Sequence, residues 1–205
     1  MLRKNLFLFV AGLFITLSFT TQAQASIALL FHQLHDPVMG NPKGNVTVVE
    51  FFDYQCGHCI AMMPMIEAII KANPNVRVIF KDFPIRGPAS EFAARAALAA
   101  NMQGKYYHFS HALLTTNEPL SDETILKIAK SVGLNVATLK ENMHSPRVNQ
   151  QLKNNYLLAE EFNVTGTPAF FIGATHAKNS HDLNFVLGEM SQSELQSAIN
   201  NAGKH

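Results

Sequence analysis

The sequence predicts an α/β fold: a strand–helix–strand start, a helical block inserted after it, and a strand–strand–helix end. Three observations predict it. Val46 to Phe52 (VTVVEFF) is apolar with almost no alternation, as in a strand buried on both faces of a sheet. Ile60, Met63, Ile66, Ile69 and Ile70 then recur at helical spacing. From about residue 89 to residue 163 the chain reads as helical throughout, before strand-like character returns at Ala169.

Taken in order, Ser26 to Leu34 (SIALLFHQL) is a short apolar piece, a first strand or a helical turn. Asp36 to Asn45 holds two Pro and two Gly and reads as a loop. The buried strand follows, and then a helix from Gly57 to Ala72. Pro64 lies inside that helix and should kink it. Asn73-Pro74-Asn75 stops it, and Val76 to Phe80 (VRVIF) is a second strand.

Within the helical block, Ser90 can cap a helix through the Ala-rich stretch to Met102. Lys105 to Thr115 is a second helix. Ser121 caps a third, ended by Gly133 as the residue after its C-cap. Val136 to Met143 and Val148 to Phe162 complete the block. Ala169 to Ile172 and Asn184 to Leu187 are strands. Ser191 with Glu194 forms a capping box for a last helix to about Asn201. A βαβ start with an antiparallel ββα end is a thioredoxin-type order.

The chain has 205 residues, 47% of them hydrophobic, enough for one medium domain with an insertion. Its first residues read as a targeting segment. Arg3 and Lys4 form a basic start, Leu6 to Phe19 an apolar run, and Ala23-Gln24-Ala25 a small-residue cleavage site. Residues 1–25 are therefore expected to be a cleaved signal peptide, with 26–205 the exported domain in the periplasm. An apolar run this short falls below the roughly 20 residues of a spanning helix. Without Arg3 and Lys4, 14 of the 16 basic residues remain against 15 acidic ones. A nearly neutral chain with no basic block argues against nucleic acid as a partner.

The two cysteines carry most of the functional information. An exported domain sits in an oxidising compartment, yet this one has a single pair, Cys56 and Cys59, two residues apart. A bridge closing so short a loop stabilises the fold by roughly 2 kcal/mol at best, so reactivity is the better reason for it. Zinc would need about four ligands, and no second pair exists.

The pair follows the buried strand directly, at the start of a helix: Phe51-Phe52-Asp53-Tyr54-Gln55-Cys56-Gly57-His58-Cys59. The free N–H groups of a first helical turn, the helix dipole and His58 would together favour a thiolate at Cys56. Cys56 is then expected to be the exposed nucleophile, and Cys59, one turn further in, the buried resolving thiol. A stabilised Cys56 thiolate favours the reduced enzyme and makes the disulfide a stronger oxidant.

At these residues the chain resembles the thioredoxin superfamily, and within it the periplasmic DsbA-like branch. The resemblance rests on GNPKGNVTVVEFFDYQCGHC (Gly40 to Cys59) and on Thr165-Gly166-Thr167-Pro168-Ala169-Phe170-Phe171-Ile172-Gly173. It extends from about Pro37 to the end and implies a thioredoxin fold with an inserted helical domain. Pro168 matches the family's cis-proline facing the cysteine pair. Thr167 matches the variable position that tunes redox behaviour. Glu50, six residues before Cys56, matches the family's buried acid, which could relay a proton for Cys59. The other reading of Glu50 is a strand-edge residue paired with Lys81. Pro64 matches the proline of the active-site helix.

One position departs from the pattern. Many DsbA-like oxidases carry Pro-His between the cysteines, whereas this chain has Gly57-His58, the pair of protein disulfide isomerases. Gly57 leaves the balance between oxidation and isomerisation open. Met62 and Met63 border the pair and could line an apolar substrate groove. His108, His111, His176 and His181 read as surface residues, and no metal and no cofactor beyond the Cys56–Cys59 disulfide is expected.

The resemblance thus implies a thiol:disulfide oxidoreductase acting on unfolded or partly folded exported proteins, re-oxidised by a DsbB-type membrane partner. The alternatives are a disulfide isomerase or reductase, or, further off, a holdase or copper-binding protein using Cys56, Cys59 and His58. Family isomerases dimerise through an N-terminal extension. Ser26 to Asn45 is too short for one, so a monomer is expected.

Overall fold

The computed structural model describes residues 26–204, so the signal-peptide reading of residues 1–25 lies outside the described residues. A five-stranded sheet runs through the molecule in the order β1-β3-β2-β4-β5. Its strands are β1 (Val38–Gly40), β2 (Val46–Phe52), β3 (Val76–Asp82), β4 (Ala169–Ala174) and β5 (Asn184–Leu187). β2 and β3 are parallel and joined through helix α1 (Gly57–Ala72); β1, β4 and β5 pair antiparallel with their neighbours. The predicted α/β thioredoxin fold is the one found.

Every residue of β2 and β3 is buried, which explains the lack of apolar–polar alternation by exposure along them; their polar residues Thr47, Glu50, Arg77, Lys81 and Asp82 are buried too. Val46, Val48, Phe52, Val78, Phe80, Phe170 and Ile172 face the core shared with α1 and the helical block. Val49, Phe51, Ile79 and Phe171 face a second core, closed by Leu30, Phe31, Phe83, Leu158 and Val164. Residues 26–32 are helical and supply Leu30 and Phe31 to that second core.

This second face is also pinned by buried charge. Lys81 Nζ lies 2.6 Å from Asp36 Oδ2 and donates to the Leu29 carbonyl at 3.1 Å. Arg77 donates to Thr47 Oγ1 at 2.7 Å and to the Phe31 carbonyl at 2.8 Å. The strand-edge reading of Glu50 is therefore corrected: Glu50 is buried in central strand β2, and Lys81 pairs with Asp36 on the other face.

Between β3 and β4 lie α2 (Pro88–Asn101), α3 (Tyr106–Leu114), α4 (Asp122–Ser131), α5 (Val136–Met143) and α6 (Pro146–Glu161). Ala93, Ala94, Ala96, Ala97, Ala99 and Ala100 are all buried in α2, whose small side chains let α3, α4, α5 and α6 pack around it. Helix α7 (Gln192–Ala202) closes the chain and starts with the Ser191–Glu194 capping box.

Three local expectations are corrected. The Pro/Gly loop of 36–45 contains strand β1, whose pairing with β3 supplies what its three residues cannot. The strand ends at Gly40, with φ +77°, where a Cβ would lie only 2.6 Å from the Val76 carbonyl oxygen. Ser90 does not cap α2: Gly87 is the N-cap, Pro88 takes the first turn, and Ser90 turns its hydroxyl to Asp53. Helix α6 starts earlier than Val148, capped by Ser145 with Pro146 in its first turn.

Candidate active site

The site begins where β2 ends. Asp53, Tyr54 and Gln55 carry the chain from the sheet to α1, and each is held. The buried Asp53 carboxylate accepts from the Gln55 N–H (2.7 Å) and Ser90 Oγ (2.7 Å) on one oxygen, and from the Ile85 (2.8 Å) and Arg86 (3.0 Å) N–H groups on the other. The Tyr54 hydroxyl donates to Asp82 Oδ1 at 3.0 Å, and Tyr106 donates to Asp82 Oδ2 at 3.0 Å. Burial pushes the Asp82 carboxyl up to about 7, partly offset by the two tyrosine hydroxyls. The turn before the cysteines is thus tied to β3, to the 83–87 loop and to the inserted helices. Sequence reasoning missed Asp53, Tyr54, Asp82 and Ser90 as site-building residues. The one local signal was the Asp53-x-Gln55 spacing of an Asx turn.

Cys56 is the N-cap of α1, in extended conformation, and its Sγ accepts from the Cys59 N–H at 3.3 Å. The same sulfur donates to the Thr167 carbonyl at 3.3 Å, and the Thr167–Pro168 peptide bond is cis. The end of β2 and the start of β4 thus bring Cys56, Cys59, Thr167 and Pro168 together, although 111 residues separate Cys56 from Thr167.

The expectation of an exposed Cys56 is corrected. Both cysteines are free thiols and both are buried, Cys56 at 0% and Cys59 at 2% exposure. The Thr167 carbonyl covers Cys56 from one side and the first turn of α1 from the other, a burial that sequence spacing could not show. Burial pushes the Cys59 thiol well up, reinforced by its hydrogen bond to Cys56. Glu50 is 3% exposed. Burial pushes its carboxyl far above the carboxylate range, and the charge of Cys56 adds to the effect. Glu50 interacts electrostatically with both sulfurs.

The residues between the cysteines face outward. A Cβ at Gly57 would meet open space. His58 contacts Glu189: its Nδ1 lies 2.7 Å from Glu189 Oε1, with the His58 side chain 70% exposed. Glu189, in the loop between β5 and α7, has no local signal in the sequence and was also missed. Met62 and Met63 are core residues, not groove residues, and Met62 Sδ accepts from the Met190 N–H at 3.5 Å. Exposed apolar side chains on the segments that build the site include Ile60 in α1, Ile85 beside Asp53, and Leu187, whose Cδ1 lies 3.9 Å from the position of a Cβ at Gly166. His111 lies 3.5 Å from Glu67, and His176 stacks on His32. Among the described residues no group of three His, Cys, Asp or Glu is placed to hold a metal ion.

A DSBA-like thioredoxin domain model matches residues 47–200, which span both the cysteine pair and Pro168. The chain belongs to the DSBA-like thioredoxin domain family. It is 40% identical to a thioredoxin-like oxidoreductase of known structure from Silicibacter pomeroyi, over 87% of this chain and 98% of that one, with a TM-score of 0.80. It is 29% identical to the thiol-disulfide exchange protein alpha-DsbA2 from Wolbachia pipientis (89% and 97% covered, TM-score 0.75). It is also 29% identical to the thiol:disulfide interchange protein DsbA of Bordetella pertussis, over 81% of each chain. A 28% identical match to the Na(+)/H(+) antiporter NhaA 3 of Salinispora tropica takes in 67% of this DsbA-like chain but only 21% of the antiporter. The chain thus spans about a fifth of that curated relative's length.

Proposed function

We propose that this DsbA-like chain is a thiol–disulfide oxidoreductase that introduces disulfides into exported proteins through Cys56 and Cys59. One observation carries the reading: Cys56 caps α1 with its sulfur on the Cys59 N–H, directly against the Thr167 carbonyl. A sulfur so placed has a donor that suits an anion and a neighbouring backbone edge against which an extended peptide can lie.

In the oxidised enzyme, a substrate thiolate attacks Cys56 Sγ. The Cys56–Cys59 bond breaks and Cys59 leaves with the electron pair. Its buried setting opposes a free anion, so it takes a proton, and Glu50 is the acid at hand to supply it. The substrate is now held to Cys56 as a mixed disulfide. A second substrate thiolate attacks the substrate's own sulfur, and Cys56 departs as the second leaving group. Two substrate sulfurs have lost two electrons to the pair; their protons have gone to solvent, from which Glu50 regains the proton it gave to Cys59. Because Cys56 is enclosed, substrate has to part the Thr167 segment from it.

The signal-like sequence of residues 1–25 supports a periplasmic site of action. No helix among the described residues is long and apolar enough to cross a membrane. The family resemblance supports a DsbB-type membrane partner that restores the disulfide. A second reading, isomerase or reductase, is favoured by one feature, the Gly57-His58 pair.

The test is oxidation of a reduced, unfolded protein by the purified chain, together with its redox equilibrium against glutathione. Rapid stoichiometric oxidation supports the proposal. An equilibrium in the thioredoxin range moves the assignment to a reductase, and reshuffling of scrambled disulfides moves it to an isomerase.

A further inference from the structure

The His58–Glu189 contact joins two exposed residues 131 apart in sequence. An exposed pair of this kind contributes little stability. Its placement is nevertheless controlled. Gly188, on one side of Glu189, donates its N–H to the Pro168 carbonyl at 2.8 Å and has φ +101°, a conformation that favours glycine. Met190, on the other side, donates its N–H to Met62 Sδ at 3.5 Å. The backbone is therefore anchored on both sides of Glu189, once to the Pro168 segment and once to α1, with the carboxylate aimed at the imidazole between them.

The consequence for His58 is a choice of nitrogen. In a neutral imidazole one ring nitrogen donates and the other accepts. A carboxylate can only accept, so Nδ1 carries the hydrogen and Nε2 is left as the lone-pair nitrogen. Cys56 Sγ already has its donor in the Cys59 N–H, while the His58 ring is turned to Glu189. The free Nε2 lies on an exposed ring, two residues along the chain from the nucleophilic cysteine.

We infer that Glu189 and His58 form a carboxylate–imidazole dyad in which His58 Nε2 takes the proton of the incoming substrate thiol and Glu189 is its positioning residue. This rests on the exchange reading above. The substrate S–H gives its proton to Nε2, and the resulting thiolate attacks Cys56 Sγ. The Cys56–Cys59 bond breaks with its electron pair on Cys59, and the imidazolium then releases its proton to solvent. The oxidant is the enzyme's own disulfide.

The experiment compares two thiols at one pH near neutrality, each reacting with the oxidised full-length protein. One is a cysteinyl peptide thiol, which titrates near about 8.5 and arrives mostly protonated. The other is an aryl thiol that is already ionised. Glu189→Gln should slow the peptide thiol about 10-fold and leave the aryl thiol within about twofold of the parent. His58→Gln should slow the peptide thiol about 10-fold more than it slows the aryl thiol, and the double variant should show no greater difference than either alone. An unchanged urea midpoint shows that each variant is folded. Equal slowing of both thiols, an unaffected peptide thiol, or additive losses would overturn the dyad. The parent's aryl-thiol reaction, and its loss in Cys56→Ser, tests the underlying exchange reading separately.

Discussion

Glu50 and Lys81 stand on opposite faces of the sheet: in the parallel β2–β3 pair, Glu50 is opposite Phe80 and Lys81 is opposite Phe51. A period of two then sends the Glu50 carboxyl toward α1 and the cysteines, and the Lys81 ammonium to Asp36 on the far side. The acid beneath the active site is thereby kept apart from the buried lysine one strand away.

The first prediction concerns Glu50. Its carboxyl is held protonated by burial, so Glu50→Gln should slow the release of Cys59 from the disulfide by about 10-fold in rapid-mixing assays with a dithiol substrate. Stability should change as well. A carboxyl raised on folding binds its proton more tightly in the native state, so it favours the native state at low pH and costs stability as pH rises through the carboxylate range. The glutamine variant should lack this loss. Denaturation at several pH values checks it, and a variant with unchanged exchange kinetics would remove Glu50 from the proton relay.

Asp82 should contribute to the stability profile between acid and neutral pH. Its carboxyl sits at about 7 in the folded protein, against about 3.9 when unfolded. Its contribution is most favourable below about pH 4 and is lost progressively as pH rises to about 7, on the order of a few kcal/mol. Asp82→Asn should flatten the profile across that window. Urea unfolding of both forms from acid to neutral pH measures the difference.

Asp53 should matter out of proportion to its distance from the sulfurs. Asp53→Asn presents an NH2 group either to the Gln55 N–H and Ser90 hydroxyl or to the Ile85 and Arg86 N–H groups. A loss of about 2–3 kcal/mol is expected, because buried donors lose their acceptor. It should appear as a lower urea midpoint at constant slope, accompanied by slower exchange as the Cys56 turn loosens.

Gly57 should accept proline. It is the first residue of α1, where a missing N–H is tolerated, and a Cβ there meets nothing. Gly57→Pro should raise stability by about 0.5–1 kcal/mol through the unfolded chain. It should also shift the glutathione equilibrium toward that of Pro-His oxidases. An unchanged equilibrium would show that the dipeptide does not set the redox balance here.

Much of this architecture could be read locally. The double-sided strand β2, the helix after it and the Ser191–Glu194 cap are set by neighbours along the chain, through apolar periodicity and short-range capping. Their predicted positions lie within a few residues of those observed. Strand β1 escaped because three residues beside Pro and Gly have no intrinsic strand pattern and depend on β3 for it. Ser90 misled for the opposite reason. A good capping residue was present, but the Asp53 carboxylate and a Gly87-Pro88 start decided its role.

By itself the sequence determined the order of strands and helices and the cysteine pair at a helix start, because each is a short-range pattern of residue type and spacing; the distant threonine–proline was legible through the family resemblance. Tertiary structure alone decided that Cys56 is enclosed, that His58 turns to Glu189, and that Glu50 and Lys81 part across the sheet. Burial, partner choice and the facing of a strand depend on which distant segments the packing brings together, and spacing along the chain carries no information about those meetings.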